Sequence, residues 1–174
     1  MGLFDFLTGK TNAKKERLLQ WQNVIMPDSP NRLIMSEEQL KAATVRQANN
    51  DLRIINDSTA LVEKTTKPDV FFSRLGLLVE KSKHLTILEQ YINFSGASPT
   101  AAYNEVLENY NKAIQLFLIR YFSETFDKAE AMKTEKGRIG KYQKFYDSLQ
   151  EYYCYMTEEH KDYIETKYKV YTKR

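Results

Sequence analysis

The chain has 174 residues, among them only six glycines, four prolines, one cysteine and two histidines. That length fits one compact domain, and such sparse punctuation excludes an all-β chain, which needs a turn about every 8–12 residues. With 26 Lys and Arg against 23 Asp and Glu the net charge is +3, so charge alone makes no case for nucleic acid, and 42% hydrophobic content excludes disorder.

Residues 1–9 carry an apolar cluster, Leu3, Phe4, Phe6 and Leu7, closed by Gly9. The cluster is too short for a secretory signal, no basic residue leads it, and Phe6 stands where a myristoylation signal wants Ser or Thr. No stretch approaches the roughly 20 apolar residues that span a bilayer. With a lone Cys154 and no export signal, a cytoplasmic location is expected. Residues 12–25 read as a basic helix containing Lys14, Lys15, Arg17 and Trp21. Residues 26–31 (MPDSPN) hold two prolines and read as a linker. This divides the chain into an N-terminal amphipathic and basic appendage, residues 1–31, and a helical bundle domain, residues 32–174.

Ser36 to Gln39 fits a capping box, and two acids in the first turn suit the helix dipole. Behind it Leu40, Thr44, Ala48, Leu52, Ile55, Thr59 and Val62 recur at helical spacing, predicting one apolar stripe to about residue 66. Pro68 and Asp69 open the next helix, whose stripe of Phe71, Phe72, Leu75, Leu78, Val79, Ser82, Leu85, Leu88 and Ile92 runs to a loop at 93–97. Ser98 and Pro99 form an N-cap and first-turn pair for a helix over 99–132. Its stripe is Tyr103, Leu107, Tyr110, Ile114, Phe117 and Tyr121. Residues 116–122 are apolar on nearly every side except at Arg120, which predicts the centre of the core there. Residues 134–140 read as a basic, glycine-containing turn. Helices follow at about 141–153 and 157–172, the latter capped by Thr157. The expected fold is all-α: an elongated antiparallel bundle of four to five long helices with a short N-terminal appendage. The alternative joins residues 36–66 and 69–92 in one kinked rod that pairs with another subunit.

Few sets of residues carry chemistry. Neither His84 nor His160 completes a Glu-x-x-His pair, and HExxH is absent, so no metal or cofactor is expected. The glycines at 137 and 140 are spaced too closely for a P-loop, with Tyr142 after Lys141. Cys154 has no adjacent base. Arg120 and Glu124, four apart in the most apolar stretch, form a candidate buried ion pair. Lys133, Lys136, Arg138, Lys141 and Lys144, interleaved with Tyr142, Phe145 and Tyr146, form a candidate anion-binding patch. Leu3, Phe4, Phe6, Leu7 and Trp21, beside Lys14, Lys15 and Arg17, form a candidate interaction segment. Eight of twelve tyrosines lie from Tyr142 onward, which suits a thin bundle or an interface.

The segments DVFFSRLGLL at 69–78, FSGASP at 94–99, RYF at 120–122, KTEKG at 133–137 and KFYD at 144–147 resemble an uncharacterised family of bacterial all-helical cytoplasmic proteins. The similarity covers about residues 36–172, and Leu75 and Gly76 stand where that family has an aromatic and an acid. It implies a free-standing bacterial helical domain and carries no functional residue over. The expected role is non-enzymatic: an interaction or scaffold protein that binds a protein partner or itself. The alternative is a peripheral binder of anionic surfaces, membrane or nucleic acid, through the basic N-terminus or the 133–144 segment.

Overall fold

The computed structural model describes residues 3–27, 33–96 and 98–173, with residues 3–11 described by their backbone alone. The elements are α1 (Leu3–Ile25), α2 (Glu37–Lys64), α3 (Pro68–Leu88), α4 (Pro99–Glu130), α5 (Glu135–Gln150) and α6 (Glu158–Thr172), with one 3-10 turn at Tyr153–Tyr155. The fold is all-α, with no strand among the described residues.

Helix starts follow local capping chemistry. Ser36 N–H donates to Gln39 Oε1 (2.9 Å) and Gln39 N–H donates to Ser36 Oγ (3.2 Å), so the capping box forms. Ser98 Oγ accepts from Ala101 N–H, and Glu89 takes both the backbone N–H and the hydroxyl of Thr100. That carboxylate meets one of the orphan amides at the start of α4. Thr157 caps α6, where the His160 side chain completes the box.

The chain forms two compact units, residues 1–54 with 81–103, and residues 55–80 with 104–174. The sequence boundary at residue 31 falls inside the first. There Trp21 is buried: its ring stacks on Tyr91 at 5.2 Å and its Nε1–H donates to Thr44 Oγ1 at 2.8 Å. Gln22, also buried, donates to Leu33 O and accepts from Met35 N–H, tying the residues before α2 to α1. Asp51 on α2 meets His84 on α3, so the two helices fold back as a hairpin rather than a kinked rod. The buried positions of α2 here are Leu40, Thr44, Ala48 and Asp51. Leu52, expected in the stripe, is 41% exposed and Asp51 fully buried in its place.

In the second unit the core gathers Val62, Phe71, Phe72, Leu75, Ile114, Phe117, Leu118, Tyr121, Phe122, Leu149, Met156 and Ile164. On α2 the buried polar position is Ser58, not Thr59, whose hydroxyl turns back to Ile55 O. Leu107, expected in the α4 stripe, is exposed. Phe71 stacks on Phe117 at 4.1 Å, and Phe72 stacks on Tyr152 at 4.6 Å. The pairs Tyr121–Phe145 and Tyr142–Glu130 lay α5 antiparallel to α4. Tyr146–Tyr168 and Tyr142–Tyr171 lay α6 back along α5.

Residues 134–140 are not a turn but the start of α5, because Thr134 supplies a cap. Its backbone is extended and its hydroxyl accepts from Gly137 N–H at 3.2 Å. A Cβ on Gly137 would stand 2.9 Å from that hydroxyl, whereas one on Gly140 would meet nothing within 4 Å. The two glycines therefore differ in what they do. Gly140→Ala is expected to stabilise the chain by about 0.5–1 kcal/mol, the helix-propensity difference. Gly137→Ala is expected to lose about 1 kcal/mol by displacing the cap. Urea midpoints of the two variants check the opposite signs.

Candidate functional site

The most apolar stretch of α4 is packed on one side only. Phe117, Leu118, Tyr121 and Phe122 are buried, while Leu116 and Ile119 are 47% and 46% exposed. The residues lie on one helix, so the same rotation that buries the first set turns the second outward. The expectation that this stretch is the core's centre holds for its inner face. Its outer face is a solvent-facing apolar pair one turn apart. Sequence periodicity could not assign the faces, because the stretch is apolar all round.

The five basic residues of the candidate anion-binding patch follow α5 rather than a turn. Lys133 precedes the helix; Lys136 and Lys144 lie two turns apart, on the side away from the buried Tyr142 and Leu149. Lys141 places its Nζ over the Phe145 ring, 5.3 Å from the centroid. Among the described residues none of the five takes part in an ion pair. Of the aromatic side chains between them, Tyr142 is buried and Phe145, half-buried, tilts against Tyr121 at 4.8 Å. The third, Tyr146, stacks on Tyr168 at 4.3 Å.

The expected ion pair between Arg120 and Glu124 does not form. Arg120 Nη2 instead donates to Val62 O at 2.8 Å, one of the last carbonyls of α2. Those carbonyls lack helical partners and carry the negative end of the helix dipole, so a guanidinium is favoured there. Glu124 binds Lys128, which, with the Thr66 hydroxyl, holds its carboxyl below the usual carboxylate range. Both residues therefore clamp the α2–α3 turn rather than each other. A partner 58 residues away in sequence left no local signal.

Both histidines and the buried Tyr121 hydroxyl are engaged with neighbours. His84 Nδ1 meets Asp51 Oδ2 at 2.6 Å, and Gln47 donates to the other carboxyl oxygen. His160 is buried. Its Nδ1 accepts from Thr157 N–H at 3.2 Å, and its Nε2 bonds Asn111 O at 3.1 Å. Since a carbonyl only accepts, these neighbours place the proton on Nε2. Cys154 is exposed, and His160 has no nitrogen left to serve it as a base. The Tyr121 hydroxyl bonds Phe145 O at 3.1 Å and Ser148 Oγ at 2.5 Å, and burial pushes it up to about 12, so it stays a neutral donor at physiological pH.

Trp21, expected in the interaction segment, is instead a core residue of the first unit, because its ring and N–H both find partners there. The side chains of Leu3, Phe4, Phe6 and Leu7 lie outside the described residues. Among the described residues no group of three or more His, Cys, Asp or Glu is placed to hold a metal. Among them, too, no helix is long and apolar enough to cross a membrane. The chain matches no family model, no curated protein and no solved structure.

Proposed function

We propose that the chain is a non-enzymatic helical interaction protein whose α4 outer face pairs with a second copy of itself. The observation that carries this reading is the apolar stretch at 116–122, which is packed on one side and leaves Leu116 and Ile119 about half exposed on the other. A helix that is apolar all round is stable when covered all round. Lone exposed apolar residues are ordinary on a protein surface, but a pair one turn apart within the most apolar stretch is less so. The use of both histidines as structural partners also favours binding over catalysis.

Light scattering behind a sizing column tests the proposal. The full chain is expected to move with concentration from the 20.5 kDa chain mass toward twice that mass. Leu116→Glu with Ile119→Glu is expected to hold it at the single-chain mass with helical circular dichroism unchanged, since like charges would face each other across the pair. A strict single-chain mass for the parent at every concentration would overturn self-pairing.

A further inference from the structure

A cleft of about 330 Å³ lies within the second unit, where the α2–α3 turn, the first residues of α3, α4 and α5 meet. We propose that this cleft binds a small organic anion, a single carboxylate or phosphate attached to a ring-sized apolar body, with Lys67 and Lys144 holding the anionic group. The volume is at the lower end of ordinary ligand sites, which suits a ligand of this size.

The charges decide the chemistry. Three lysines line the cleft, Lys67, Lys128 and Lys144, against the carboxylates of Asp69 and Glu124. Lys128 and Glu124 are bonded to each other, and Glu124 also takes the Thr66 hydroxyl. That pair is internally satisfied. Neither Lys67 nor Lys144 has an ion-pair partner among the described residues. Asp69 opposes them, but it sits in the first turn of α3, where the helix dipole offsets its charge. The lining thus leaves one net positive charge, matched by one anionic group. Pro68 and Phe145 supply an apolar wall, and the Tyr121–Ser148 hydroxyl pair supplies polar atoms beside it.

The site is independent of the proposed self-pairing. Tyr121, Glu124 and Lys128 occupy a different side of α4 from Leu116 and Ile119. Lys67 and Lys128 also lie off α5, so this is not the basic face of that helix restated.

Titration of the full chain at constant ionic strength tests it, with calorimetry and backbone amide shifts as readouts. The probes are benzoate and phenyl phosphate, acetate as charge without the ring, and benzyl alcohol as ring without the charge. At least one of the two aromatic anions is expected to saturate below about 20 mM. The arm that binds more tightly identifies carboxylate or phosphate as the head group. Shifts are expected to concentrate at residues 66–69 and 144–148. Lys67→Gln and Lys144→Gln are each expected to weaken binding by about tenfold, and Lys169→Gln, exposed on α6, to leave it unchanged. The proposal is overturned if neither aromatic anion saturates, if benzyl alcohol or acetate binds as tightly, or if both lysine variants bind like the parent. Shifts in the parent protein that cluster elsewhere overturn it without recourse to any variant.

Discussion

Phe117→Ala is expected to lower the unfolding free energy by about 3–5 kcal/mol. The ring is fully buried at the centre of the second unit. It stacks on Phe71 at 4.1 Å with the planes 13° apart, and it meets Phe72 edge-on at 5.8 Å and Tyr121 at 5.5 Å. Truncation removes the transfer energy of the ring and leaves a cavity that stacked neighbours cannot easily fill, because each is held by further rings: Phe72 by Tyr152 and Tyr121 by Phe145. Phe117→Leu keeps most of the volume and is expected to cost no more than about 1.5 kcal/mol. Denaturant unfolding of the pair separates cavity from chemistry. Equal losses in both variants would mean that the aromatic stack, not the filled volume, stabilises the unit.

Truncating Leu116 or Ile119, one and two positions away on the same helix, carries no such penalty, because neither fills the core. The contrast between neighbours separates the two roles of the α4 stretch. Stability resides on its inner face, and the proposed pairing on its outer face. A variant that loses pairing but keeps its urea midpoint would place the two properties on different sides of one helix.

The helices were legible in the sequence wherever their signals are local. The capping box at Ser36, the Ser98–Pro99 start and the Thr157 cap are carried by residues within one turn of each other, and each appears in the structure. The start of α5 carries a misleading local signal for a related reason. Gly137 and Gly140 count as breakers in isolation, but Thr134 commits its hydroxyl to Gly137 N–H, and that cap outweighs the glycines' entropic cost. Features set by distant partners left no local trace. Arg120 sits four residues from Glu124, which suggests an ion pair, yet the end of α2 offers it an unpaired carbonyl, and tertiary contact wins over helical spacing. The cleft is equally hidden, since residues 66–69, 121–128 and 144–148 line one space only once α2, α3, α4 and α5 are packed. On α2 apolar periodicity favours Leu52 over Asp51, because nothing near Asp51 in sequence announces that a histidine 33 residues away will meet it.

That pair supports the second large effect. His84→Ala is expected to destabilise the chain by about 3 kcal/mol, well above the 1 kcal/mol or so of an exposed ion pair. The asymmetry of burial sets the size. Asp51 is fully buried, whereas the His84 side chain is 25% exposed. Removing the imidazole leaves a buried carboxyl with only the Gln47 amide as a partner, at 3.1 Å. Removing the carboxyl instead leaves a histidine that reaches water, so Asp51→Ala is expected to cost less than His84→Ala. The double variant Asp51→Ala with His84→Ala is expected to recover part of the His84→Ala loss, because the group left without a partner is itself gone. Urea unfolding of the parent, both single variants and the double variant closes the cycle. If the double variant is as unstable as the sum of the singles, the two side chains do not act as a pair, and the polar residue on the buried face of α2 needs another explanation. If the coupling appears, Asp51 and His84 also tie α2 to α3 across 33 residues of sequence.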